Sequence, residues 1–404
     1  MTYSSPTAHA PSRAAPTRTG RGSAVAEAVV DLGAIADNTE LIAGATDAAV
    51  MAVVKADAFG HGMLPVARTA LAHGASWLGV ATTAEALALR DAGITAPLLS
   101  WLHGPDEDFR PAILADVELS VSSIGQLAGI AECAAELGAT ATVHLKVDTG
   151  LSRSGAAGAD WPALVHSARR LEREGLVRVR AVWSHLISAD EPGSGRTATQ
   201  LHRFDDAVAL AREAGLDPEL RHLANSAAAL DEPRTHYELV RPGIGLYGVE
   251  PVAGRTFGLR AALTLRARPV LVKRVPAGTG VSYGHDYATA TDSNLALVPL
   301  GYADGVPRLA SGCAEVRIRG RRHPVAGRVA MDQFVVDLGA HTADTQDEVV
   351  LIGPEREGGP AVTEWAEWAR TLPHEIFTGI GSRVPRRYVD RRGADLPHGE
   401  EYLA

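Results

Sequence analysis

A lysine, Lys55, stands where the apolar run Met51-Ala52-Val53-Val54 gives way to Ala56-Asp57-Ala58-Phe59-Gly60-His61-Gly62, a loop bracketed by glycines. An ammonium at the mouth of a buried strand loses solvation, which lowers its pKa and leaves more of the amine free to attack an aldehyde. That is the chemistry of a Schiff base. A lone lysine at a strand end is more often a solvated charge, so the reading depends on what else falls at comparable positions.

Several polar groups do. Lys146, Asp148 and Arg153 lie in His144-Leu-Lys-Val-Asp-Thr-Gly-Leu-Ser-Arg153, just after an apolar run, and His185 follows Ala181-Val-Trp-Ser184. Asn225 and Ser226 follow Arg221-His-Leu-Ala224, and Arg241 precedes Pro242-Gly243-Ile244-Gly245. Asn225-Ser226-Ala-Ala-Ala-Leu230 reads as a helix start that offers backbone N–H groups and a hydroxyl to an anion. Gly243 and Gly245 let backbone approach a ligand closely. Two anion cradles near an activated lysine point to a phosphorylated aldehyde; an ordinary helix cap and turn is the blander reading of the same residues.

The elements that must position these groups alternate between short apolar runs and segments of helical period. Expected strands are 51–54, 77–81, 97–100, 117–122, 142–147, 179–184, 220–223 and 239–241, with helices at 64–73, 83–91, 124–137, 161–174 and 197–214. Eight strands in this span suit a (β/α)8 TIM-like barrel, an α/β fold that collects functional groups at the C-terminal ends of its strands. A doubly wound sheet alternates similarly, but no G-x-G-x-x-G turn follows the first strand. After residue 250 the texture changes to strands separated by glycine turns, at 263–275, 294–299, 314–318, 323–331, 333–338 and 347–352, with one helix at 362–371. The expected organisation is a tail over 1–24, a barrel over 25–250, a mostly β domain over 251–391 and a second tail over 392–404.

The 404-residue chain is 46% hydrophobic and carries a net charge of -9, so nucleic acid and anionic membrane have no electrostatic attraction to it. No apolar stretch approaches the roughly 18 residues of a membrane span, and the first 24 residues lack the apolar core of a signal peptide. Cys133 and Cys313 sit in neither metal-ligand nor redox spacing, so no metal is expected and the cytoplasm fits. A small-molecule ligand remains.

The chain resembles the alanine racemases. The resemblance rests on residues 52–62, His144-Leu-Lys-Val-Asp-Thr-Gly150, Trp183-Ser-His185, His222-Leu-Ala-Asn-Ser226, Arg241-Pro-Gly-Ile-Gly245, Val281-Ser-Tyr-Gly284, Gly301-Tyr-Ala-Asp-Gly305, Val329-Ala-Met-Asp-Gln333 and Arg383-Val-Pro-Arg386, in the family's order. It implies a pyridoxal 5'-phosphate enzyme, a barrel joined to a β domain, that supplies D-alanine for peptidoglycan. By this resemblance Lys55 carries the cofactor and acts as base on one face of the substrate, and Tyr283 serves the opposite face. Phe59, His185, Asn225, Ser226, Arg241, Gly243, Ile244 and His374 would line the cofactor. Arg153, Tyr302, Met331 and Asp332 would line the substrate, and Lys146 would be carbamylated to hold Arg153. The family places Tyr283, Met331 and Asp332 in the other subunit's barrel mouth, which implies a homodimer with shared sites.

Three positions depart from the family's pattern. Phe59 and His374 stand where tyrosines are usual, and Ser152 stands where glycine is usual. Each lost hydrogen bond to a charged acceptor is worth about 1.5–3 kcal/mol, so weaker cofactor retention and a different or broader amino-acid substrate are alternatives. A non-catalytic binder of the cofactor or of an inhibitor is another, and decarboxylation or aldol cleavage a third; neither has use for two opposed proton carriers.

Overall fold

The computed structural model describes residues 25–392, and the expectations for the segments on either side lie outside them. Eight parallel strands form one sheet: β2 (Ala49–Val53), β3 (Trp77–Val80), β4 (Leu98–Ser100), β5 (Glu118–Val121), β6 (Ala141–Lys146), β7 (Val177–Trp183), β8 (Leu220–His222) and β9 (Leu239–Val240). Their order, β8-β7-β6-β5-β4-β3-β2-β9, brings the last strand beside the first. The remaining gap is bridged where Arg241 N–H donates to the Ala224 carbonyl at 3.0 Å, which closes the barrel. Most of these strands are buried on both faces and read as near-continuous apolar runs, as parallel strands under helices must.

The helices pack outside. The segment Ile124–Leu137 shows why these sequences form them: Ser123 caps it by accepting from Gln126 N–H, Gly138 ends it in the left-handed region, and Leu127, Ile130, Ala131 and Ala134 repeat at helical spacing on the buried side. Burying Leu127 and Ile130 stabilises the barrel by about 1.5–3 kcal/mol each, so an acidic residue at 127 would detach this helix. Helix 83–91 appears as expected, and 63–72, 161–173 and 196–213 differ from expectation by a residue at their ends.

Strand β1 (Ala26–Asp31) precedes the barrel strands but pairs elsewhere, antiparallel to β10 (Leu263–Ala267) and parallel to β19 (Arg386–Val389). It is the strand next to the edge in a six-stranded sheet completed by β15 (Glu315–Ile318), β16 (Arg321–Pro324) and β18 (Val349–Ile352). The chain therefore threads the second domain before entering the barrel, which stitches the two together through residues 31 to 49. Three expectations for this domain need correction. The strand at 263–275 is two, β10 and β11 (Leu271–Val275), split around Pro269 and sent to different sheets; β11 joins β14 (Ser293–Val298) and β17 (Phe334–Asp337). The strand at 323–331 ends at Pro324, and the residues up to Met331 are largely irregular backbone. The single helix at 362–371 is two, Val362–Trp368 and Pro373–Gly379, because Pro373 forces a restart and serves as an N-terminal residue of the second.

Candidate active site

Lys55 leaves β2 directly into a left-handed turn. Ala56, Asp57, Ala58 and Phe59 all have φ of 52 to 53°, so the expected loop is a run of left-handed residues. Each costs an L-residue about 1–2 kcal/mol, and runs are rare. The turn persists because every side of it is held. Ala56 N–H donates to Glu85 at 2.7 Å and Met63 N–H to the Asp57 carboxylate at 2.7 Å. Buried His61 donates from Nδ1 to the Ala58 and Phe59 carbonyls at 3.1 and 3.0 Å. Arg386 of the second domain donates to the Gly60 carbonyl at 2.9 Å. Strain kept in place by this many contacts belongs to functional sites, and here it fixes the backbone on which Lys55 stands.

Around the Lys55 amine the barrel mouth gathers positive charge. Burial, then Arg153, lowers its pKa, with Glu85 opposing. Glu85 is not an ion partner for it, because its two oxygens accept from the N–H groups of Ala56, Ala81 and Thr82. Lys146, at the end of β6, donates to Ser154 at 2.7 Å and sits 4.0 Å over the Trp183 ring. Burial, then Arg241, Arg153 and Lys55, brings it down to about 7. The same cations, after burial, hold His185 well below the usual histidine range, so it is neutral. Arg241 is buried, and burial lowers it to about 9, which leaves it charged at neutral pH. Among the described residues its guanidinium meets only neutral acceptors: the Ser184 and Leu223 carbonyls at 2.9 and 3.3 Å, His222 Nδ1 at 3.2 Å and His185 Nδ1 at 3.4 Å. In an acidic protein, such a cluster is fitted to anionic ligands.

The anion cradle expected at Asn225, Ser226 and Gly243 to Gly245 is present in altered form. Asn225 caps a helix of only six residues, accepting from Ala228 N–H at 3.1 Å. Ser226 Oγ accepts from the N–H groups of Gly243 and Gly245 at 2.8 and 3.1 Å, which leaves its own proton to donate outward. Phe59 closes one wall: a Cβ on Gly243 would come within 3.2 Å of its ring tip. Behind Phe59, at a centroid distance of 5.5 Å, lies His374, whose Nδ1 is buried without a hydrogen-bond partner. Ile244 begins the short 3-10 turn that follows. An unspent hydroxyl proton, an unpartnered imidazole nitrogen, a lysine of lowered pKa and a buried arginine with neutral partners fit a phosphorylated aldehyde with a basic ring nitrogen. Ser152 takes φ of 55°, which explains why glycine suits that position, and the Asp148 carboxylate holds both its N–H and that of Gly150. Arg153 beyond it is exposed and makes no hydrogen bond among the described residues.

The structure thus brings Lys55, Lys146, Arg153, His185, Arg241, Ser226, Gly243, Phe59 and His374 to one barrel mouth. It does not bring in Tyr283, Tyr302, Met331 or Asp332. Among the described residues no hydrogen bond, ion pair or ring contact joins these to Lys55, and the first three are 69%, 45% and 53% exposed. Tyr302, Met331 and Asp332 lie together on the second domain: Tyr302 and Ala303 N–H donate to the Ala330 and Met331 carbonyls, Arg383 pairs with Asp332 at 2.7 Å, and Ser282 Oγ donates to the Arg328 carbonyl at 2.6 Å, which ties the Tyr283 segment to the same stretch. Ser282, before Tyr283, has φ 63° and ψ -169°, a region essentially reserved for glycine.

With this geometry in view, comparison with known proteins is decisive. The family model for the alanine racemase N-terminal domain matches residues 30–251, and that for the alanine racemase C-terminal domain matches 262–388. The chain belongs to the alanine racemase family. As a member it is an isomerase that uses pyridoxal 5'-phosphate. It is similar to the alanine racemase of Frankia casuarinae, 53% identical over 90% of this chain and 96% of that one, and to that of Mycolicibacterium smegmatis, 51% identical over 91% and 95%. Among solved structures, the alanine racemase of Streptomyces coelicolor A3(2) superimposes with a TM-score of 0.89 at 49% identity, covering 91% of this chain and 98% of that one. The alanine racemase from D-cycloserine producing Streptomyces lavendulae gives 0.88 at 47%, covering 93% and 98%.

Sequence reading missed three contributors to this racemase-family site. Glu85 was detectable as the last residue of a Thr82-x-x-Glu85 capping box, and its carboxylate also reaches the turn after Lys55. Trp183 underlies both Lys146 and Arg241, 4.0 and 4.8 Å from its ring centre. Arg386 lay in a matched segment but had no role until its hydrogen bond to Gly60 was seen.

Proposed function

We propose that the chain interconverts L- and D-alanine, with Lys55 and the partner subunit's Tyr283 as the proton carriers on opposite faces of the α-carbon. The observation that carries this reading is the cation cluster around an amine of lowered pKa. Bound pyridoxal phosphate supplies an electron sink that acidifies the substrate's α-proton. Lys55, depleted of solvation, takes or returns that proton on its own face. Arg153 offers the substrate carboxylate a cation at the barrel mouth, which a carbamate on Lys146 would hold in place. Arg241, which keeps its protons, would donate to the ring nitrogen without protonating it and so moderate the sink. Neutral His185 accepts from Arg241 at Nδ1 and so presents Nε2–H outward, where it can reach a phenol.

We infer further that the exposed face bearing Tyr283, Tyr302, Met331 and Asp332 completes the barrel mouth of a second copy, so the working unit is a homodimer. The strained Ser282 backbone immediately before an exposed tyrosine supports this. Lys146 is the residue we assign to carbamylation. At a pKa of about 7 half of it is neutral at pH 7, against about three in ten thousand for an ordinary lysine. Only the neutral amine adds carbon dioxide, and a carbamate there would balance the surrounding cations. We place the enzyme in the cytoplasm, supplying D-alanine. The unpartnered His374 nitrogen favours a second reading in which serine is also accepted. Chiral product analysis against alanine, serine and larger L-amino acids tests both. Failure to yield D-alanine would reject the first, and rejection of serine the second. Deuterium exchange at the α-carbon of alanine in heavy water would separate a binder with the cofactor on Lys55, which shows none, from a catalyst.

A further inference from the structure

Beneath the site, a buried carboxylate connects to Arg241 through two histidines. Glu118, on β5, accepts from Arg180 through Oε1 and faces His144 Nε2 through Oε2 at 2.5 Å. His144 Nδ1 lies 2.9 Å from His222 Nε2, and His222 Nδ1 lies 3.2 Å from Arg241 Nη1. Both histidine side chains and Glu118 are buried. We propose that Glu118 is a positioning residue for the racemase reaction: through His144 and His222 it sets the hydrogen-bond direction that holds the Arg241 guanidinium in place.

The direction follows from either end. An arginine can only donate, so His222 Nδ1 must accept from Arg241 and carry its proton on Nε2. His222 then donates to His144 Nδ1, which leaves the His144 proton on Nε2. That proton is the one a carboxylate, able only to accept, requires. Burial beside Arg241 disfavours a charged His222, in keeping with a neutral relay. Reversing any link would set the His222 Nδ1–H against the Arg241 N–H in a buried site.

Glu118→Gln makes that reversal. Arg180 claims the amide oxygen because it has no other use for the group, so the amide N–H faces His144 Nε2 and both imidazoles must turn their protons round. The inference deepens the proposed role of Arg241 and rests on that reading for its kinetic arm only. The test is nitrogen-15 NMR of histidine-labelled full-length holoenzyme, which reports the protonated nitrogen of each ring. The expected result is Nε2–H for both His144 and His222 in the wild type and Nδ1–H for both in Glu118→Gln. The turnover number of the variant is expected to fall about tenfold, the equivalent of one hydrogen bond to a charged group, with KM for alanine within about twofold. Glu118→Asp, which keeps an acceptor-only group, is expected to restore the wild-type tautomers. Wild-type protein with either proton on Nδ1, or a Gln variant with unchanged tautomers and turnover, would overturn the proposal. If the Gln variant does not fold, the wild-type spectrum decides by itself. A wild type with the expected tautomers and no racemisation would sink the functional reading and leave the relay standing.

Discussion

Acid is expected to destabilise the turn that carries Lys55 through His61. Its ring is wholly buried between Tyr247 and Phe377, at centroid distances of 4.5 and 4.8 Å, and burial lowers its pKa from about 6.5 to about 4. In the unfolded chain the same imidazole takes up a proton near pH 6.5, so between the two values the unfolded state binds more protons and stability rises with pH. The contribution is complete above about 6.5 and is lost as pH falls towards 4. At about 1.4 kcal/mol per pH unit the loss is about 3 kcal/mol, a large part of a typical folding free energy. His61→Gln keeps an N–H donor for the Ala58 and Phe59 carbonyls but does not titrate. Denaturant unfolding, followed by tryptophan fluorescence at several pH values from about 7 down to about 4, should show the variant less stable at neutral pH but less steeply dependent on acid. Parallel slopes for the two proteins would refute the assignment of this loss to His61.

Other outcomes follow from the same geometry. Tyr283→Phe should lower racemisation at least a hundredfold while borohydride still fixes the cofactor on Lys55; undiminished turnover would remove Tyr283 from the mechanism. Phe59→Tyr places a hydroxyl at the ring tip beside Gly243 and should tighten pyridoxal phosphate about tenfold, as read by titration of the apoprotein; unchanged affinity would show that the absent phenol does not weaken binding. Carbon-13 bicarbonate should give a carbamate NMR signal that grows as pH passes through about 7 and is absent from Lys146→Met. Arg386→Met removes donors to the carbonyls of Gly60, Ile380, Gly381 and Val384 and should destabilise the fold by about 3 kcal/mol in denaturant unfolding, with slower trapping of Lys55 as the left-handed turn loosens.

Much of this protein is written locally. The barrel strands and their helices follow from hydrophobic period, which each segment carries in its own residues, and matched segments mark Lys55, Arg241 and Ser226 without reference to a partner. Boundaries went astray where a proline redirected the chain, at Pro269 and Pro373, or where apolar residues past Pro324 kept only an isolated bridge, Val325 to Val336, in place of a continued strand. The sequence could not show that β1 belongs to the far domain, because pairing of Val30 with Leu263 is a choice between distant edges. Nor could it show the left-handed turn, since Ala56 to Phe59 have no local preference for that conformation and adopt it only because Glu85, His61 and Arg386 converge on them. The lowered pKa values of Lys55 and Lys146 and the relay from Glu118 to Arg241 exist only once residues far apart in the chain share one dry interior. Desolvation and proton direction are properties of that enclosure, and tertiary structure alone creates it.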